Sequence, residues 1–138
     1  MTKNPDILFP VFALVAWTFA VLLRVAFKRF DAHLKPNDFK YGESAAVPPQ
    51  VSIPNRNYMN LLEVPLLFYI ACLLLYVAGS ASSLALALAW LYLALRIIHS
   101  LIHLTYNNVI HRLIAFAASN AVLGGLWVCT WLTVTASA

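Results

Sequence analysis

Two short stretches of this chain place residues capable of acid, base and anion chemistry inside otherwise apolar sequence. In the first, Arg56, Asn60 and Glu63 stand at i, i+4 and i+7, on one face of a helix, with Met59 beside them. In the second, Arg96, His99 and His103 repeat the pattern at i, i+3 and i+7, with Tyr92 one turn earlier on the same face. Arg24 and Arg112 stand near the ends of two further apolar runs, and His111 precedes Arg112. Guanidinium and imidazole groups converging with one carboxylate and one amide suit a small zwitterionic ligand that carries carboxylates and an amine. Arginine also favours a nearby thiolate over its thiol, so a bound thiol cofactor would be both held and activated here.

Two other readings use the same residues. Glu63 could pair with Arg96 or Arg56 in a structural network, with Arg56 and Arg96 holding the helices together. A lone carboxylate inside the membrane costs about 2.5 to 3.5 kcal/mol on insertion scales, so Glu63 is expected to be paired and turned inward. His99 and His103, at i and i+4, could share a metal with Glu63 or His111 as a third ligand. The pattern offers one HxxxH, no HExxH and an arginine near each end of the cluster. The expectation is therefore no metal. Arg24 shares a face with Lys28, and either snorkels to the headgroups or turns into the bundle to meet an anion.

The elements that must carry these residues are membrane spans. The 138 residues are 62% hydrophobic and 10% charged, with mean hydropathy +0.80. Soluble domains carry about 25% charged residues. The net charge of +4 does not point to nucleic acid, because six of the nine Lys and Arg (Arg24, Lys28, Arg29, Lys35, Lys40 and Arg56) fall in or beside one connection. By the positive-inside rule that connection, residues 31–54, faces the cytoplasm. Cys72 and Cys129 sit deep in apolar runs and read as small buried hydrophobes. Residues 1–10 lack a basic region with a small-residue cleavage site, so the first apolar run reads as a retained span.

Residues 7–30, 55–78, 84–106 and 109–134 read as helices, each long enough at about 1.5 Å per residue to cross a hydrocarbon core of roughly 30 Å. Pro36, Gly42, Pro48, Pro49 and Pro54 interrupt any helix in the long connection, and Pro65 should bend the second span. Both termini then lie outside. Glu63 lies about two turns and Arg96 about three turns from the cytoplasmic end, depths that allow them to meet. In the fourth span, Ala117, Ala121 and Gly125 stand at four-residue spacing, which suits close helix packing. Asn120 is expected to hydrogen-bond across helices. The fold expected is all-α: an integral membrane four-helix bundle forming one domain.

The run Arg56-Asn57-Tyr58-Met59-Asn60-Leu61-Leu62-Glu63-Val64-Pro65, followed by Arg96-Ile97-Ile98-His99-Ser100-Leu101-Ile102-His103 and by Arg112 at the start of the fourth span, resembles the MAPEG family. These are membrane-associated proteins in eicosanoid and glutathione metabolism. The resemblance covers nearly the whole chain in helix number and loop lengths. It implies a homotrimer that binds glutathione between protomers at the cytoplasmic end and admits a hydrophobic small-molecule substrate from the lipid bilayer. Asn60, Glu63, His99 and Arg112 look like the family's glutathione contacts, Arg24 like its first-helix basic contact, and Arg112 like the residue that stabilises the thiolate. His103 stands at an aromatic hydroxyl position and joins the candidate cofactor-binding set. Departures accompany the match: Met59 replaces a basic residue, Tyr58 stands where a His is common, and Leu113 and Phe116 replace hydroxyls, so the chain looks more like the bacterial branch than the eicosanoid synthases. The implied activity is a glutathione transferase or peroxidase acting on hydrophobic electrophiles or lipid hydroperoxides, in the inner membrane of a bacterial cell. The contrasting expectation is a non-catalytic scaffold or lipid-binding trimer that keeps the polar network for assembly.

Overall fold

The structure, a computed structural model, describes residues 4–40, 42 and 47–136. Residues 41 and 43–46 of the long connection lie outside the described residues, as do 1–3 and 137–138 at the two ends. Among the described residues the chain is all-helical, without a named strand, and four of its helical segments are long and apolar enough to span a membrane.

A 3-10 turn, Pro5–Leu8, leads into α1, Phe9–Asp31. Its start is fixed by Asn4, whose side chain accepts from the Asp6 backbone N–H at 3.0 Å. The next span begins with α2, Pro49–Leu62, and continues as α3, Pro65–Ala78. Helix α2 therefore starts six residues before the expected Asn55. Pro48 supplies the extended N-cap conformation, and Pro49 falls in the first turn, where a missing N–H costs nothing. Pro54 lies inside α2, where it forgoes a single ladder bond to Gln50. The connection shrinks accordingly and holds a second 3-10 turn, Pro36–Phe39.

Pro65 does more than bend the second span. It has no N–H to offer the Leu61 carbonyl, and α2 ends at Glu63, whose ψ is −87°. The helix resumes through short bonds from Leu66 N to Glu63 O and from Leu67 N to Val64 O, at 3.3 and 3.0 Å. Gly79, in the left-handed region at φ 66°, ends α3. Ser82 caps α4, Ser83–Leu104, by accepting from Ala85 N at 3.1 Å. Asn108 starts α5, Val109–Ala136, by accepting from the N–H groups of Ile110 and His111, both at 3.0 Å.

The helices meet around an apolar core of Leu14, Phe68, Leu75, Ala89, Leu123 and Leu126, with the Phe68 and Tyr92 rings stacked at 4.6 Å. Helices α4 and α5 share the most extensive contact, followed by α1 with α2 and α3 with α5. Large apolar side chains such as Phe12, Phe19, Leu73 and Trp131 point outward, as lipid-facing surface requires. The small-residue row of α5 divides. Gly125 packs toward Leu88 of α4, whereas Gly124 opens on free space and Ala117 and Ala121 are exposed. Asn120 Oδ1 is buried without a hydrogen-bond partner among the described residues, contrary to the bond expected across helices.

Candidate functional site

Helix α4 carries the polar core. Along its inward face lie Tyr92, Arg96, His99, Ser100 and His103, all buried. Opposite Ser100 stand Trp17 of α1 and Asn57 of α2. Trp17 Nε1 donates to Ser100 Oγ at 2.9 Å, and Asn57 Nδ2 donates to the same oxygen at 2.6 Å. One hydroxyl thus ties three helices together where water is scarce and each unmade hydrogen bond is costly. Asn57 and Ser100 are completely buried.

The charged and amide groups of Arg56 and Asn60 do not point to this network, although the sequence carries its signal. Val51, Pro54 and Leu61 form the buried side of α2, and Asn57 falls on it at i+3 from Pro54 and i−4 from Leu61. The same periodicity turns Arg56 outward, and Arg56 is exposed. It is not brought into the buried network, but lies near enough to Arg112 to interact with it electrostatically.

Arg96, the largest fully buried side chain, donates through Nη2 to the Asn60 backbone carbonyl. That carbonyl belongs to the last turn of α2, where the break at Glu63 and Pro65 disturbs the ladder and where a cation is favoured by the helix dipole. The Arg96 guanidinium also lies 5.6 Å from the Phe116 ring centre. Arg96 therefore braces the broken helix beside Asn60, and its expected ion pair with Glu63 is not formed. Among the described residues Glu63 pairs with neither Arg96 nor Arg56, although its charge acts on Arg96 at longer range. Glu63 is exposed on the protomer rather than turned inward, because it lies at i+7 from the outward-facing Arg56 and its N–H still bonds the Met59 carbonyl at 3.1 Å, so the backbone departs from helical geometry only beyond it.

Asn60, His99 and Arg112 come together. With Val109, Leu113 and Phe116 they line a cavity of about 220 Å³ between α2, α4 and the start of α5. Arg112 is held by Asn107, whose Oδ1 accepts from Nη1 at 2.8 Å, and Asn107 itself takes a left-handed turn at φ 48°. His99 lies 5.9 Å from the Phe116 ring and 6.1 Å from His103, centre to centre. His103 is buried and does not line the cavity; neither of its ring nitrogens has a hydrogen-bond partner among the described residues. His111 is exposed and meets Tyr106, with Nδ1 3.1 Å from the hydroxyl. Among the described residues no group of three His, Cys, Asp or Glu side chains is placed to hold a metal ion.

Arg24 is not brought to this cavity. It is exposed in a separate groove of about 530 Å³ between α1 and α4, where Trp17, Phe27, Lys28, Leu101 and Leu104 surround it. Its Nη2 donates to the Leu104 carbonyl at 3.4 Å.

The model of the MAPEG family matches residues 7–132, all but the ends of the chain. The chain belongs to the MAPEG family. Membership and the four spanning segments make it an integral, multi-pass membrane protein. The family is generally associated with glutathione, and membership is consistent with a membrane glutathione-related transferase, peroxidase or related function. No curated protein and no solved structure matched the chain. In this MAPEG protein the residues able to hold such a ligand are the amide of Asn60, the imidazole of His99 and the guanidinium of Arg112. Between them they offer hydrogen bonds and a fixed positive charge beside an apolar wall.

Proposed function

We propose that this protein is a glutathione-dependent transferase or peroxidase that presents an arginine-stabilised thiolate to hydrophobic electrophiles or lipid hydroperoxides. The observation that carries the reading is the convergence of Asn60, His99 and Arg112 on one cavity. Glutathione is a zwitterion with two carboxylates, an amine and a thiol. Asn60 and His99 hydrogen-bond its backbone, while Arg112, anchored by Asn107, faces the sulfur. In transfer, the thiolate attacks the electrophilic carbon and the leaving group departs with the electron pair. In peroxidase chemistry, the thiolate attacks the peroxide oxygen and the O–O bond breaks, giving the sulfenic acid and the alcohol; a second glutathione thiol then displaces water from the sulfenic acid to give the disulfide.

The cavity is smaller than the roughly 300 to 1,000 Å³ typical of ligand sites, which supports a site completed by a second protomer. Arg24 and Glu63 lie exposed on membrane helices, as residues that meet a neighbouring copy would. The exposed Ala117, Ala121 and Gly124 offer α5 a face that can approach another helix closely. In a homotrimer with glutathione between protomers, Arg24 of one copy would contribute to the site that holds Arg112 of the next. The connection expected over 31–54, which α2 shortens to 32–48, would face the cytoplasm, where glutathione is available, and in a bacterium the membrane would be the inner one.

Calorimetric titration of the purified protein with glutathione, alongside conjugation of a model electrophile, tests this function. Saturable binding and thiol-dependent conjugation are expected. Absence of binding at millimolar glutathione would leave the non-catalytic scaffold, which the ligand-independent Trp17, Asn57 and Ser100 network favours.

A further inference from the structure

Away from this cavity, the chain folds back on the polar end of α1. Beyond Asp31 it turns at His33, in the left-handed region at φ 52°, and the Pro36–Phe39 turn settles against the last turns of the helix. A cleft of about 320 Å³ remains, lined by Ala26, Arg29, Phe30, Leu34, Lys35 and Phe39 among others. We infer that this cleft binds the headgroup phosphate of an anionic phospholipid, with an acyl chain running down the outer face of α1.

Three features support the assignment. The first is charge: the lining holds Arg29 and Lys35 and no carboxylate. Of the described acids beside it in sequence, Asp31 pairs with Lys28 at 3.8 Å, and the Asp38 carboxylate accepts from the Lys35 backbone N–H at 2.8 Å. The second is preorganisation. The Arg29 guanidinium lies 4.4 Å from the Phe39 ring centre and donates through Nη2 to Asn55 Oδ1 at 3.0 Å, so a phosphate meets a cation whose position is already fixed. The third is the combination of that charge with an outward apolar wall. Phe30, part of the lining, is 77% exposed on a membrane-spanning helix, which opens the cleft sideways to lipid.

A freely dissolved anion has no use for the apolar wall, whereas a phospholipid uses both parts at once. Basic pockets at the membrane surface select anionic headgroups in this way. A zwitterionic choline headgroup would add a cation beside Lys35 and fit less well. The site shares no residue with the Asn60, His99 and Arg112 cavity and does not depend on thiol chemistry.

Native mass spectrometry and thermal unfolding of the lipid-stripped full chain in detergent test the proposal. Phosphatidylglycerol is titrated against phosphatidylcholine with the same acyl chains, and inorganic phosphate serves as a competitor. Phosphatidylglycerol should be retained and should raise Tm saturably, phosphatidylcholine should do neither, and inorganic phosphate should not displace the bound lipid. Arg29→Gln also removes the bond to Asn55, so Lys35→Gln, at an exposed side chain, is the discriminating variant. It should weaken phosphatidylglycerol retention about fivefold and leave Tm without lipid unchanged. Equal retention of the two lipids, or unchanged retention by Lys35→Gln, would overturn the assignment. Displacement by inorganic phosphate at equal concentration would also overturn it, pointing to a free-phosphate site.

Discussion

The two halves of the bundle are held by different physics. Toward the Gly79 turn, Phe68, Ala71, Leu75, Ala85, Ala89 and Leu126 are fully buried and meet by shape alone. Toward the Arg112 end, the same helices bury Asn57, Arg96, His99, Ser100 and His103, joined by few hydrogen bonds and with several ring and guanidinium nitrogens unpartnered in the chain. Helices already in lipid gain little from the hydrophobic effect when they associate, so the apolar half is stabilised by close packing. The polar half sacrifices packing uniformity for directional groups, as sites that recognise a ligand do. The apolar half should therefore govern stability, and the polar half should govern ligand chemistry.

The largest expected effect lies in the apolar half. Phe68→Ala removes a fully buried ring stacked on Tyr92 and should cost about 3 kcal/mol, measured by reversible unfolding in mixed detergent. A cost below about 1 kcal/mol, the range of conservative swaps, would show that packing there is loose. Next, Arg112→Ala should lower thiol conjugation about a hundredfold with little change in unfolding, because the side chain sits at a helix start and is only partly buried. An equal loss of stability would place Arg112 among the residues that hold the fold.

Ser100→Ala probes where the halves overlap. It leaves the Trp17 and Asn57 donors without their shared acceptor and should destabilise by about 2 kcal/mol. Pairing it with Asn57→Leu in a double-mutant cycle should show strong coupling; additive costs would mean that the two side chains act separately. The smallest effect is a gain. Leu113 lines the cavity at a position where the family resemblance expects a hydroxyl, so Leu113→Thr should tighten glutathione binding about fivefold, the worth of one hydrogen bond. Calorimetry showing weaker binding would mean that the apolar wall, not a missing donor, sets the pose.

The apolar half was legible in the sequence because hydrophobic length and composition define spans directly. The turns at Gly79 to Ser83 and at Asn107-Asn108 were equally plain, since glycine, serine and asparagine end and start helices through local chemistry. The polar half was legible only as residue types. Spacing places Arg56, Asn60 and Glu63 on one helix face, but does not say which face of α2 turns inward, and α2 buries Asn57 while Arg56 and Glu63 stay exposed. The start of α2 differs from the expected one because prolines read as breakers, whereas Pro49 at a helix N-terminus is an initiator. Arg96 donates to a backbone carbonyl and not to Glu63, a partner that sequence spacing does not reveal.

The most direct test of the proposed chemistry is the ultraviolet difference spectrum of glutathione bound to the purified protein at neutral pH, where the thiolate absorbs and the thiol does not. Wild-type protein should show a thiolate signal that saturates with glutathione, Phe68→Leu should retain it, and Arg112→Ala should lose it while still folding. A thiolate signal of equal size in Arg112→Ala, or none in wild-type protein with glutathione bound, would contradict the role assigned to Arg112.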